Sequence, residues 1–196
     1  LVLVVEYNQM QSFGALGEFF TQKPGVFLFD CLFVGLLYGV FLFAFRRGWV
    51  AALASGVPLF VISCVEFFKY DISGSHFIPQ DLALTGKFNT VASMARLRVT
   101  WPIFIAFALL TAFIVLLWRT KAEVSGPKSH RILWGVVCLA LVYMILGTPL
   151  SQTVFAAFDV DTRVSGNKFM AAAKFENNNM VAFWASELSQ VLTLRP

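Results

Sequence analysis

The stretch VFLFDCLFVGLLYGVFLFAFRR, residues 26–47, decides the fold class of this chain. Its first twenty residues hold one charged side chain, Asp30, and two arginines follow at once. A helix needs about 20 predominantly apolar residues to cross a hydrocarbon core of roughly 30 Å. The stretch therefore predicts a membrane-spanning helix over residues 26–45.

Further apolar runs lie on both sides of this one. Three are long enough to span a bilayer, at residues 49–68, 99–118 and 132–150, and the chain opens inside another at residues 1–6. The opening run has no initiator methionine, so we expect it to be the end of a helix and the sequence to be a fragment. The fold class predicted is all-α, a polytopic transmembrane bundle of four full spans plus the end of a first.

The composition excludes an ordinary soluble domain. The 196 residues are 58% hydrophobic and 13% charged, with a mean hydropathy of +0.74, whereas soluble domains carry about 25% charged residues. The net charge of +4 lies between the apolar runs, so we expect no nucleic-acid partner. The three cysteines fall in different runs and match no metal-binding spacing.

Basic residues predict the orientation of the bundle. Six of the fifteen lie in the two short loops, at residues 46–48 and 119–131, and nine are spread over the three longer segments. Loops rich in Lys and Arg stay in the cytoplasm. We therefore predict that the chain starts inside and ends outside.

The C-terminal segment, residues 151–196, is then extracytoplasmic. Within it, residues 175–192 carry apolar side chains on one helical face and polar ones elsewhere. That pattern is typical of a helix lying in the headgroup plane, and a helix packed on a further domain is the alternative. We interpret the segment as an amphipathic linker towards a missing catalytic domain.

Three ionisable residues lie near the predicted outer ends of neighbouring spans. Asp30 lies about one turn inside its span, and Glu66 and Lys69 share one face near the end of the next. Charged side chains at membrane depth are costly and often functional. One hypothesis is a notch for a lipid headgroup, with Lys69 meeting its phosphate. The alternative is structural: a Glu66–Lys69 pair reaching for water, and Asp30 bonding a neighbouring helix.

The loop after Lys69 contains little recognisable chemistry. Pro79 and Asp81 resemble a helix start, and His76 has no second histidine nearby, which favours a plain loop residue.

In the C-terminal segment, the spacing of Asp159 and Asp161 favours a solvated turn. Phosphate-binding glycine loops, nucleophile elbows and zinc motifs are all missing from the sequence, so we assign no catalytic residue, metal ligand or cofactor to this chain.

The same loop carries a family signature in Lys69, Gly74, Pro79, Asp81 and Leu82. On these residues the chain resembles the N-terminal membrane domain of the lipoteichoic acid synthase family, whose members are phosphoglycerol transferases. The family pattern is roughly Asn-x-x-Lys, a short Arg-Gly-x-Pro stretch, and then Pro-x-Asp-Leu.

The chain departs from that pattern at three positions and matches it weakly at two more. Glu66, Ser73 and His76 stand where the family usually has Asn, Arg and Pro. Residues 24–30 resemble the entry to the family's second helix, with an aspartate for its usual asparagine. Residues 175–183 resemble an aromatic-x-x-Asn-Gly-x-x-x-Phe stretch that lacks its glycine.

The resemblance implies five membrane helices followed by an extracellular sulfatase-like domain. That domain would hold a catalytic threonine and a divalent metal, Mn or Mg, and none of its residues maps onto this chain. The implied location is the bacterial plasma membrane, and the implied partners are the bilayer, phosphatidylglycerol and the chain's own catalytic domain. Glycerol phosphate would pass from the lipid to a cell-envelope polymer or glycan.

Two other functions are open to such a chain. A stand-alone, non-catalytic membrane scaffold or binding protein derived from this domain is the main alternative. A small transporter is disfavoured, because the span centres hold no charge and no pair of broken helices is visible.

Overall fold

The structure, a computed structural model, describes residues 1–79, 100–165 and 167–193. No β-strand occurs within these ranges, which confirms the all-α fold class. The helices, in chain order, are α1 (Val2–Met10), α2 (Phe13–Gln22), α3 (Pro24–Phe45), α4 (Gly48–Ser73), α5 (Trp101–Arg119), α6 (Lys128–Gly147), α7 (Leu150–Ala157) and α8 (Lys168–Thr193).

Four helices, α3 to α6, are long and apolar enough to cross a membrane. They coincide with the four full spans predicted from the sequence, and the largest difference is at α4, which ends at Ser73 rather than Phe68. In the most apolar stretches of α5 and α6, only 17% and 11% of the residues are buried. Apolar surfaces of that extent are unfavourable in water, so these two helices are suited to face lipid.

Helix α3 is central to the packing and contacts α4 and α6 most extensively. Phe29 is wholly buried on it, with its ring centroid 5.9 Å from that of Phe33 and 5.3 Å from that of Phe155 on α7. Gly25, in the first turn of α3, approaches the backbone of Phe158, where a Cβ atom would lie 2.7 Å from the carbonyl oxygen. The end of α7 therefore packs directly on the start of α3.

Helix α1 is inserted between α4, α5 and α8. Polar side chains join it to α4: the Asn8 amide donates to the Ser63 hydroxyl at 2.9 Å, and that hydroxyl donates to the Val5 carbonyl at 3.1 Å. Such bonds between helices satisfy polar groups that lipid cannot. The short opening run is thus a structural part of the bundle.

Backbone hydrogen bonds join the two loops at the predicted inner end. The Gly48 N–H donates to the Ala122 carbonyl at 2.8 Å, and the Val124 N–H donates to the Arg46 carbonyl at 2.9 Å. The α3–α4 and α5–α6 connections therefore hold each other in place.

Helix α8 is broken at Asn179, which has φ 58° and ψ −167°. Its first half (residues 168–178) and second half (residues 180–193) cannot be collinear. Lys174 and Glu187 lie in different halves, and their charged atoms are 2.8 Å apart, whereas 13 residues of straight helix rise about 20 Å. The break therefore folds the halves back on each other. The sequence offered the headgroup plane or a further domain as the surroundings of residues 175–192, and in the structure α8 packs on α1, α3 and α6.

Candidate functional site

The end of α4 carries a closed polar cluster around Glu66. The Glu66 side chain is wholly buried, with Oε1 2.5 Å from the Nδ1 atom of His76 and Oε2 accepting the Phe77 backbone N–H at 2.5 Å. Gly74 makes this possible, because it ends α4 in the left-handed conformation (φ 63°) and turns the chain back over the helix. Gly74 thus positions the loop.

Lys69 joins the same cluster from the next turn of α4. Its half-buried ammonium donates to the His76 carbonyl at 2.8 Å and lies 5.8 Å from the centre of the Phe77 ring. Glu66 and Lys69 therefore share two loop residues, as their common helix face predicted. Both side chains make contacts within the protein, and their binding of a lipid headgroup stays a prediction.

The imidazole of His76 connects the end of α4 to both halves of α8. Its ring stacks on Phe175 at 4.1 Å and on Tyr70 at 4.8 Å, and Phe183 lies 5.9 Å away. His76 does lie in a loop, but the sequence gives no hint that its ring is buried between aromatic side chains. Its aromatic partners on α8 follow it by about a hundred residues, so local sequence gave no signal.

The structure places Asp30 in another cluster, beside Glu6. Both carboxylates are wholly buried and close enough to interact electrostatically. The Ala182 N–H is a neighbouring donor, although neither oxygen of Asp30 completes a regular hydrogen bond within the described residues. Asp30 thus neighbours Glu6, and its expected place at one depth with Glu66 and Lys69 stays a prediction.

Glu6 accepts hydrogen bonds from the start of the second half of α8. Its Oε1 accepts the Val181 N–H at 3.1 Å, and its Oε2 accepts the Met180 N–H at 3.4 Å and the side-chain amide of Asn179. The first N–H groups of a helix have no partner within the helix, and they carry the positive end of its dipole. A carboxylate from α1 therefore caps a helix that begins at the break.

A buried ion pair connects the two halves of α8. Lys174 is 1% exposed and Glu187 is 3% exposed at the side chain, and Glu187 also accepts the Ser165 hydroxyl at 2.6 Å. Charged groups with so little exposure to water need a close partner of opposite charge. Sequence spacing does not predict this pair, since residues thirteen positions apart are not neighbours on a straight helix.

Asp161 organises the connection between α7 and α8. The side-chain amide of Asn178 pairs with the backbone of Asp161. It accepts the Asp161 N–H at 2.6 Å and donates to the Asp161 carbonyl at 2.7 Å. Asn177 donates to its carboxylate at 3.0 Å, and the hydrogen-bonded Arg163 guanidinium holds the pKa of that carboxyl well below its usual range. The interpretation as a solvated turn missed these partners.

A small recess lies beside this connection. It has a volume of 220 Å³ and includes Lys23, Asp159, Asp161 and Asn177 in its lining. Burial lowers the pKa of Lys23, whose ammonium donates to the Glu176 carbonyl. One cation faces two carboxylates, so the recess is poorly suited to an anionic headgroup.

The remaining signature residues divide between two parts of the chain. Pro79 is buried at the end of the described loop, whereas Asp81 and Leu82 lie outside the described residues. Within the described ranges no three His, Cys, Asp or Glu side chains gather as a metal site would require. We therefore assign no metal chemistry to the residues that the structure describes.

Comparisons with known proteins give this chain no relative. No protein-family model, no curated protein and no solved structure matches it. The resemblance to the lipoteichoic acid synthase family therefore remains a prediction, and what the geometry establishes is a multi-pass helical bundle whose last helix is bound into it by buried polar contacts.

Proposed function

We propose that this chain is the membrane part of a phosphoglycerol transferase of the lipoteichoic acid synthase kind. In this proposal it lies in a bacterial plasma membrane and holds a catalytic domain at the outer leaflet. Phosphatidylglycerol would be the donor, and a cell-envelope polymer or glycan the acceptor. Any Mn or Mg ion would belong to that further domain, and we derive no step through it.

The observation that supports the proposal most is the backbone at Asn179. The family pattern aromatic-x-x-Asn-Gly-x-x-x-Phe, aligned on Phe175, Asn178 and Phe183, has its glycine at this position. Asn179 has φ 58° and ψ −167°, a backbone region that is essentially restricted to glycine. The backbone at position 179 thus adopts a conformation that would explain a glycine in the family pattern, although this chain has asparagine there.

The attachment of α8 suits the same function. Buried contacts from Glu6 and His76 fix the two halves of α8 to the bundle, and the Lys174–Glu187 pair holds the halves together. A catalytic domain following this helix would have a defined height and tilt over the membrane. Confinement at the surface raises the effective concentration of a lipid donor without any contact from the anchor itself.

A non-catalytic scaffold is the second candidate, and a specific observation favours it. The charged side chains at the predicted outer end, such as Glu66 and Lys174, make internal contacts. An anchor with no ligand to bind needs no more than this. In that case α8 would simply close the bundle.

One experiment separates the two functions. The gene would be sequenced beyond the codon for Pro196, and the full protein assayed in vesicles for release of diacylglycerol from labelled phosphatidylglycerol. The transferase proposal expects an open frame of several hundred residues and release that stops when its nucleophilic threonine is replaced by alanine. A stop codon at that point, or a full protein without activity towards the lipid, would favour the scaffold.

A further inference from the structure

A groove lies between α3 and α6 at the predicted inner end of the bundle. Its volume is 520 Å³. The floor is apolar and includes Phe43 of α3 and Val136 and Leu139 of α6. Val136 and Leu139 are both 56% exposed, so the groove is open along the side of the bundle that would face lipid.

Three basic side chains line the mouth of this groove. Arg46 follows α3 directly, Lys128 begins α6, and Arg131 lies one turn further along α6. Among the described residues that line the groove there is no carboxylate. The mouth is therefore a concentration of positive charge at the depth where an apolar groove meets the headgroup layer.

Arg131 has unused hydrogen-bonding capacity. One terminal nitrogen donates to the Phe43 carbonyl at 3.3 Å, while its Nε is buried and has no partner within the described residues. A buried guanidinium donor without an acceptor is unfavourable. Guanidinium groups bind phosphate with short, strong hydrogen bonds, so Arg131 is suited to hold an anionic oxygen at the mouth of the groove.

We propose that this groove binds an anionic glycerophospholipid of the inner leaflet. The phosphate lies among Arg46, Lys128 and Arg131, and one acyl chain follows Val136 and Leu139. Three cations without a carboxylate favour a lipid of net negative charge over a zwitterionic one, because juxtamembrane basic residues are attracted to anionic lipids. The apolar floor favours a lipid over a soluble phosphate. The site lies at the opposite end of the bundle from α8 and does not depend on the proposed function.

The test is native mass spectrometry of the whole chain released from detergent micelles. Phosphatidylglycerol and phosphatidylcholine with identical acyl chains are the probes. The groove variant is Arg46→Gln with Arg131→Gln, and the control is Arg119→Gln with Lys121→Gln, which removes the same charge near the same end. We expect phosphatidylglycerol retention to fall roughly 25-fold in the groove variant, since each of the two basic side chains removed accounts for about fivefold in affinity near an anionic surface. The control should retain it within twofold.

A second variant tests the apolar part without changing charge. Val136→Trp fills the groove from its exposed side and should weaken phosphatidylglycerol retention, while circular dichroism should show unchanged helix content. Equal losses in the groove and control variants, or equal retention of phosphatidylcholine by the native chain, would overturn the proposal. Displacement of the lipid by millimolar glycerol 3-phosphate would overturn it as well, because the occupant would then be a soluble phosphate.

Discussion

The side-chain amide of Asn179 donates to the carboxylate of Glu6, although 173 positions separate the two residues in the sequence. The same carboxylate accepts the N–H groups of Met180 and Val181. A residue of the first helix thus completes the start of the last helical segment, and both lie in the buried interior.

Replacing Glu6 by alanine should destabilise the bundle strongly. The change leaves buried donors at Asn179, Met180 and Val181 without an acceptor, at a cost of about 2–4 kcal/mol. The free energy of unfolding would be measured by denaturant titration in mixed micelles. Glu18→Ala on α2 is the control, because Glu18 is exposed. Similar losses in the two variants would contradict the capping role.

The glycine variant should be more stable than the alanine variant at position 179 and less stable at position 177. At Asn179 both substitutions lose the amide bond to Glu6, but alanine must also adopt the positive φ, so it should be less stable than glycine by about 1–2 kcal/mol. At Asn177, inside the first half of α8, glycine should be the less stable by roughly 0.5–1 kcal/mol. The unfolding free energies of the four variants are the measurement. If alanine were more stable than glycine at both positions, a conformational role for residue 179 would be ruled out.

Breaking the Lys174–Glu187 pair should cost far more than breaking a surface pair. Lys174→Met leaves Glu187 buried without its cation, which we expect to lower the free energy of unfolding by about 3–5 kcal/mol. Glu123→Gln removes the Arg47–Glu123 pair, whose side chains are 60% and 50% exposed, and should cost less than about 1 kcal/mol. A double variant, Lys174→Met with Glu187→Leu, should recover part of the loss. No recovery would indicate that packing, not charge, is lost.

Asp161 should make the stability of the fold depend on pH. Its pKa in the folded protein is lowered, so the carboxylate stabilises the fold at neutral pH, and this stabilisation is lost as the pH falls below the ordinary aspartate value of about 3.9. Asp161→Asn should therefore lower the melting temperature at pH 7 and differ progressively less from the native chain below pH 4. Thermal unfolding across that range is the measurement. A difference that grows towards low pH would reverse the sign and refute the assignment.

The loop after α4 should open when Glu66 is changed. Glu66→Ala removes the acceptor of the Phe77 N–H and the partner of His76, so amide exchange at residues 76–78 should accelerate at least tenfold. His130→Ala at the predicted inner end is the control, because His130 is exposed. Hydrogen exchange followed by mass spectrometry resolves the segment. Unchanged exchange in the Glu66 variant would mean that the aromatic stack alone holds the loop.

The membrane helices could be predicted from the sequence because the signal is local. Twenty apolar residues between charged flanks mark a span wherever the chain goes next, and α3 begins and α5 ends within two residues of the predicted limits. The neighbouring positions of Glu66 and Lys69 followed from helical spacing in the same way. The end of α4 was missed, because Lys69, Tyr70 and Asp71 are polar and yet helical.

The site was harder to predict because its contacts join distant parts of the chain. Glu6 looked like the polar end of a short apolar run, and its partners lie on α8. Asp30 was grouped with Glu66 by depth alone, whereas lateral position decides which carboxylates meet. One signal was available: the asparagines at 177–179 precede an apolar run, and asparagine is a favoured first residue of a helix. It predicts a new helix start, but not the carboxylate that caps it.

The capping of the last helix by Glu6 has a consequence for biogenesis. Residues 1–10 leave the ribosome long before residues 179–181, which donate the hydrogen bonds to Glu6. Until then the carboxylate on α1 lacks these donors, so this part of the bundle cannot reach its final packing before residues 179–181 have been synthesised. Contacts of such long sequence separation form late. Final packing of this bundle should thus wait for the arrival of α8, after α3 to α6 have already been synthesised.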